Sequence, residues 1–264
     1  MSSQHTQSED SVLRIVLLGK TGVGKSTSGN AILGRLNDPA FKAQNGDKSV
    51  TNKCTYGTPN DKKSPVVVDT PGLFHTEMKE DKLAKAILGF VPEVHPGPHV
   101  LLLVLKLGAE GENEKLLEIF QKAFKGAEGH TIVLFTHGDE YKVEDYLKRY
   151  PDLKKSIHHS SMGYHVFGNS NIGNSAQNDA QVSDLMQMVR EVVRKNGYYP
   201  NENFEKAEQA LKEAMNIPEV RNIGRLVGNA SSALETVVDF FLPKKTKDFL
   251  NDLQVQALRL IRRS

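Results

Sequence analysis

Cysteine is nearly missing from this chain. Cys54 is the single one in 264 residues, so no intrachain disulfide can form, and a reducing compartment is the expected setting. Long hydrophobic runs are missing too: no stretch approaches the roughly 20 apolar residues that a membrane-spanning helix needs. Charge of one sign is absent as well. Lysine and arginine number 34 against 32 acidic residues, a net charge of +2. That balance gives no electrostatic reason to expect a nucleic-acid partner. The opening residues 1–10 are polar and lack the apolar stretch of a secretory signal. Met1-Ser2 lacks the glycine that myristoylation requires, and the final residues are not a prenylation box. The expectation is a cytoplasmic protein with a disordered leader over residues 1–10.

What is present begins at Gly19-Lys20-Thr21-Gly22-Val23-Gly24-Lys25-Ser26, spaced G-x-x-x-x-G-K-S. An apolar run over residues 12–18 precedes it, and a segment with helical character follows. A triphosphate is a dense, hydrated anion, and holding it without water takes many converging donors. Glycines let successive backbone N–H groups turn toward one point, and the next helix adds the positive end of its dipole. Lys25 can reach the β- and γ-phosphates, and the Ser26 hydroxyl can ligate Mg²⁺. Gly22, Val23, Gly24, Lys25, Ser26 and Thr27 are therefore the candidate nucleotide contacts of this loop.

Four further boxes follow. Asp69-Thr70-Pro71-Gly72 ends an apolar strand; Asp69 supplies the anion that a Mg²⁺ shell wants, and the Gly72 N–H can bond a γ-phosphate that only the triphosphate carries. Thr51, in the polar loop between the first helix and the second strand, can give Mg²⁺ a hydroxyl, with Ser49 as the alternative. Phe135-Thr136-His137-Gly138-Asp139 ends another apolar strand. One carboxylate there, Asp139, can accept from both N1–H and N2–H₂ of guanine, an edge adenine lacks. His137 can lie along the base, and Thr136 stands where many GTPases have asparagine. Phe167-Gly168-Asn169 makes Asn169 a candidate to close over the base. The metal ligands expected are thus Ser26, Thr51 and Asp69.

Strands are expected over residues 12–18, 51–58, 65–69, 100–107, 131–136 and 164–167. Helices are expected over 25–33, 80–89, 112–125, 143–150 and 182–194, with a Gly/Asn/Ser loop through 178. Alternating strands and helices imply an α/β fold, a mostly parallel central sheet with helices on both faces and ligands at the carboxyl ends of the strands. The G domain is placed at residues 11–197, and a helical extension at 198–264.

In this order the boxes resemble the immunity-associated (IMAP) GTPases, a family of septin-like and Toc-like P-loop GTPases. The resemblance rests on residues 13–26, on Gly29-Asn30-Ala31-Ile32-Leu33-Gly34, on Ser49-Val50-Thr51-Asn52-Lys53-Cys54, and on Asp69-Thr70-Pro71-Gly72-Leu73-Phe74. The apolar box Leu101-Leu102-Leu103-Val104-Leu105-Lys106-Leu107-Gly108 extends it. It implies GTP and GDP binding with Mg²⁺, and a nucleotide-dependent homodimer or oligomer formed through the face that carries the nucleotide. Two departures imply slow hydrolysis. Leu73 stands where a glutamine orients water in many GTPases, and Ala109-Glu110 offers no arginine where some relatives carry one. No catalytic residue is assigned. The alternatives are a nearly inert GTP-binding scaffold and an ATP-using P-loop enzyme; Asp139 argues against the latter.

From Pro243 the tail carries six basic and two acidic residues, with Leu250, Leu253, Leu258 and Ile261 giving an apolar side. Such a helix either packs on the globular part with a solvated basic face, the simpler reading, or lies on an anionic membrane surface.

Overall fold

The structure is a computed structural model that describes residues 12–41, 55–57, 65–72, 94, 96–109, 111–124, 126–168 and 175–199. The chain divides into two units, one of residues 1–79 and 98–199 and another of 80–97 and 200–264. Every element below belongs to the first.

Among the described residues six strands form one sheet: β1 Arg14–Leu18, β2 Thr55–Gly57, β3 Val66–Asp69, β4 Val100–Lys106, β5 Thr131–Thr136 and β6 Tyr164–Val166. Their order is β2-β3-β1-β4-β5-β6. All neighbours are parallel except β2, which runs antiparallel to β3 at the edge. The α-helices among the described residues are α1 Lys25–Ile32, α2 Glu112–Ala123, α3 Val143–Arg149, α4 Pro151–Ser160 and α5 Ser175–Asn196.

The middle strands are apolar because both their faces are covered. Residues 15–18, 100–105 and 131–135 are buried throughout. Alternate side chains go to opposite faces. Ile15, Leu17, Leu102, Val104, Ile132 and Leu134 join Ile32 of α1 and Leu185, Val189 and Val192 of α5 in one core. Phe135, one step along from Leu134, instead meets Tyr146 of α3 edge-on at 6.2 Å between ring centroids. Each such buried side chain stabilises the fold by roughly 1.5–3 kcal/mol. In α2, Leu116, Leu117 and Phe120 are buried at helical spacing, while Glu112 and Glu114 lie in the first turn and Lys122 in the last.

Two helices differ from the sequence expectation. Pro151 closes α3 and also opens α4 at its first turn, where proline's missing N–H costs nothing. Helix α5 begins at Ser175 inside the expected loop, because its amphipathic pattern takes in the polar residues ahead of it. The expected helix at 80–89 and those past residue 200 lie outside the described residues.

The order of connections reverses at β1: the chain leaves it for β3 on one side and comes back to β4 on the other. A crevice at the strands' carboxyl ends follows from that reversal. The loops after β1, β3, β4 and β5 all open there.

Candidate functional site

The P-loop turns through left-handed backbone. Gly22 has φ 78° and Gly24, the N-cap of α1, has φ 94°. That conformation favours glycine, and it lets the chain enter α1 with its first N–H groups facing outward. Lys25, the first residue of α1, is 6% exposed. Its ammonium donates to the carbonyls of Gly19 at 3.1 Å and Lys20 at 2.7 Å. Burial lowers the Lys25 pKa to about 8, and the nearby Asp69 charge partly opposes the shift. Both acceptors are carbonyls of its own loop, which a phosphate oxygen can replace.

Asp69 at the end of β3 is fully buried, and the Ser26 hydroxyl donates to its Oδ2 at 2.5 Å. A hydroxyl and a carboxylate this close form the oxygen donor set that suits a hard cation such as Mg²⁺. Among the described residues no group of three or more His, Cys, Asp or Glu side chains gathers as a metal site. Mg²⁺ does not need one when it also takes phosphate oxygens and water. Thr70 follows, its hydroxyl donating to the Leu17 carbonyl at 2.7 Å and fixing the end of β3 on β1. Gly72 lies against the P-loop: a Cβ there would collide with the Thr21 hydroxyl and stand 2.7 Å from the Thr21 nitrogen.

The loop after β5 reaches the same place. Thr136 is buried, and its hydroxyl donates to the Val23 carbonyl of the P-loop at 2.8 Å and lies 3.3 Å from the Leu105 carbonyl of β4. Threonine in the asparagine position thus serves as a strut between the two loops. His137 has φ 64°, unlike every other non-glycine residue described. Its Nδ1 lies 3.1 Å from the Thr136 hydroxyl. Burial, then the Lys106 charge, lowers its pKa, favouring a neutral ring. Asp139 is exposed, its carboxylate against the Gly168 backbone. The Gly138 N–H donates to the Phe167 carbonyl at 3.0 Å, which holds this loop beside the end of β6.

The structure therefore gathers Gly22, Val23, Gly24, Lys25, Ser26, Asp69, Gly72 and Thr136 at one end of the sheet, with Thr27 in the first turn of α1 and His137 and Asp139 continuing from Thr136. Thr51 and Asn169 lie outside the described residues, as do Leu73 and Glu110. Two supports escaped the motif reading. Asn30 makes reciprocal bonds with the Phe41 backbone, at 2.8 Å to its carbonyl and 2.9 Å from its N–H, fixing the chain after α1. Lys20, inside the P-loop, pairs with Glu112 at 2.9 Å. A lysine at a non-glycine position of the loop is the signal for the second; nothing local signals the first.

The chain is 33% identical over 211 residues to immune-associated nucleotide-binding protein 9 of Arabidopsis thaliana, covering 75% of this chain and 61% of that protein. It is 30% identical over 223 residues to GTPase IMAP family member 8 of Homo sapiens, covering 82% of this chain and 32% of that protein. The chain thus spans less than two thirds of the length of either relative. Among solved structures, the crystal structure of Era in complex with MgGDPNP and nucleotides of 16S ribosomal RNA matches at a TM-score of 0.47 and 18% identity. That match covers 72% of this chain and 57% of that one. Residues 13–217 match the AIG1 family. The chain belongs to the AIG1 family.

Proposed function

We propose that this chain binds GTP and GDP with Mg²⁺ at the carboxyl end of its sheet and works as a nucleotide-dependent switch that assembles through that face. The observation that carries the reading is the dry Lys25 ammonium, held on loop carbonyls beside the Ser26–Asp69 pair. A buried cation with replaceable partners next to a hard-oxygen donor set is arranged for a polyphosphate. Ser26 and Asp69, with Thr51, would hold Mg²⁺, which would screen the phosphate charge. The amides of residues 22–27 and the Lys25 ammonium would take the phosphates. Asp139 would accept from the guanine edge, with His137 along the base and Asn169 closing over it. Gly72, already against Thr21, would report the γ-phosphate through its N–H.

Hydrolysis is slow in this reading, because Leu73 cannot orient water and Ala109 supplies no cation. The second reading, a nearly inert scaffold that oligomerises on GTP, is favoured by those same two residues. Competition by GDP, GTP and ADP for a fluorescent guanine nucleotide tests the binding claim. Micromolar or tighter affinity for the guanine nucleotides alone supports it, and equal displacement by ADP contradicts it. Light scattering in GDP and in a non-hydrolysable GTP analogue tests assembly: a larger particle only with the analogue supports it, and one size in both contradicts it. Single-turnover phosphate release separates switch from scaffold, and a rate above about one per second contradicts slow hydrolysis.

A further inference from the structure

The P-loop is gripped from outside its nucleotide contacts. Lys20 Nζ lies 2.9 Å from Glu112 Oε2, with the Lys20 side chain 18% exposed and that of Glu112 56% exposed. Glu112 opens α2, where a carboxylate also meets the positive end of the helix dipole. This end of α2 is itself fixed. Asn113 is buried, and its amide donates to the Lys106 carbonyl at 3.0 Å and to the Tyr146 hydroxyl at 2.9 Å. The Tyr146 hydroxyl in turn donates to the Ala109 carbonyl at 3.2 Å. The turn between β4 and α2 is thereby tied to β4 and to α3. At the other end of the path, the carbonyl of Lys20 accepts from the Lys25 ammonium at 2.7 Å. One residue, Lys20, thus holds α2 through its side chain and the phosphate-binding ammonium through its backbone.

We infer that Glu112 is a positioning residue for the P-loop: through Lys20 it fixes the loop's first turn, and with it the place where the Lys25 ammonium rests. The consequence for phosphate binding rests on the nucleotide reading given above. Exposed ion pairs contribute little, but here the ammonium is mostly out of water, where screening is weaker, and its partner sits on a pinned helix end.

The test uses the full chain and three variants: Glu112→Gln, Lys20→Met, and the exchange Lys20→Glu with Glu112→Lys. In nucleotide-free protein, amide hydrogen exchange of residues 20–25 is expected to speed up about 3–5-fold in either single variant. Exchange in β4 and β5 and the thermal midpoint are expected to stay put. With Mg²⁺ and GDP, dissociation of GDP is expected to quicken by about the same factor, and the exchanged pair to return to within about twofold of the original chain. Unchanged P-loop exchange in both single variants overturns the inference. So does faster exchange spread over the whole sheet, or an exchanged pair no better than the singles. A chain that binds no guanine nucleotide removes the nucleotide reading, while P-loop exchange still decides whether Glu112 holds the loop.

Discussion

The two ends of the sheet bury ionisable groups in opposite ways. At the carboxyl end, Lys25 is an ammonium held on carbonyls of its own loop, beside a buried carboxylate. At the amino end, His99 and His130 are buried imidazoles. The Arg14 N–H donates to His99 Nδ1 at 3.1 Å, and the Arg14 guanidinium stands 3.5 Å from the other ring nitrogen. His130 Nδ1 lies 3.2 Å from the His99 carbonyl, and its ring packs on Tyr199 at 5.5 Å. Burial first, then Arg14 and His130, lower the His99 pKa to about 4, so this end is built around neutral rings. Its backbone is closed as well: the Tyr199 N–H donates to the Pro98 carbonyl at 2.7 Å. The amino end is settled within itself. The carboxyl end keeps a charge whose partners a ligand can replace, which costs stability and confers binding.

Four outcomes bear on that contrast. The largest effect belongs to Lys25→Met. It is expected to weaken nucleotide binding at least about 100-fold while raising the stability of the nucleotide-free chain by about 1–2 kcal/mol. The sign follows from the lowered pKa. Between pH 8 and 10.5 the unfolded chain holds more protons than the folded one, so the cost of Lys25 is complete below pH 8 and fades as pH rises. Chemical denaturation of both proteins at pH 7.5 and pH 10 measures it: the gap between them narrows at the higher pH.

Next is Gly72→Ala. The added methyl group meets Thr21 and displaces one loop from the other, at a cost of about 1–3 kcal/mol. The ratio of GTP-analogue to GDP affinity, measured by titration calorimetry, is expected to fall. An unchanged ratio and unchanged stability refute the close contact.

Thr136→Val keeps the shape and removes the strut, leaving the buried Val23 carbonyl without that donor, for a loss of about 1–2 kcal/mol. Thr136→Ser is expected to retain most of it in thermal melts.

The smallest effect concerns the amino end. His99 and His130 both have lowered pKa values, burial being the leading cause in each. The contribution of neutral His99 is complete above about pH 6.5 and is lost as pH falls toward 4, because the unfolded chain binds the proton first, and His130 acts in the same direction. Urea denaturation from pH 7.5 to 5 is expected to show declining stability, with a shallower slope in His99→Asn.

Much of the carboxyl end was legible in the sequence, because its chemistry depends on backbone spacing. G-x-x-x-x-G-K-S and Asp-Thr-Pro-Gly state the turns directly, and the apolar runs 100–107 and 131–136 can only be buried strands. The amino end was not legible. His99 and His130 are single residues in unrelated segments, and only the pairing of β1 with β4 and of β4 with β5 brings them together. The same holds for Thr136. Its departure from asparagine was visible, but its bond to Val23 depends on tertiary geometry across 113 positions. Helix α4 as a whole is not legible, because Pro151 reads as a stop when only the preceding helix is considered. The start of α5 was missed because Ser, Asn and Gln favour loops by propensity and yield to packing of the apolar face that follows.

Under the proposed function, the Lys25 ammonium is held in readiness for a polyphosphate. Titration of GDP with Mg²⁺ into the original chain and into Lys25→Met, with thermal melts of both proteins free of nucleotide, tests it most directly. Micromolar or tighter binding by the original chain, loss of that binding in the variant, and a higher melting temperature for the variant are expected. Equal affinity in the two proteins, or a variant that loses binding only because it no longer folds, would contradict it.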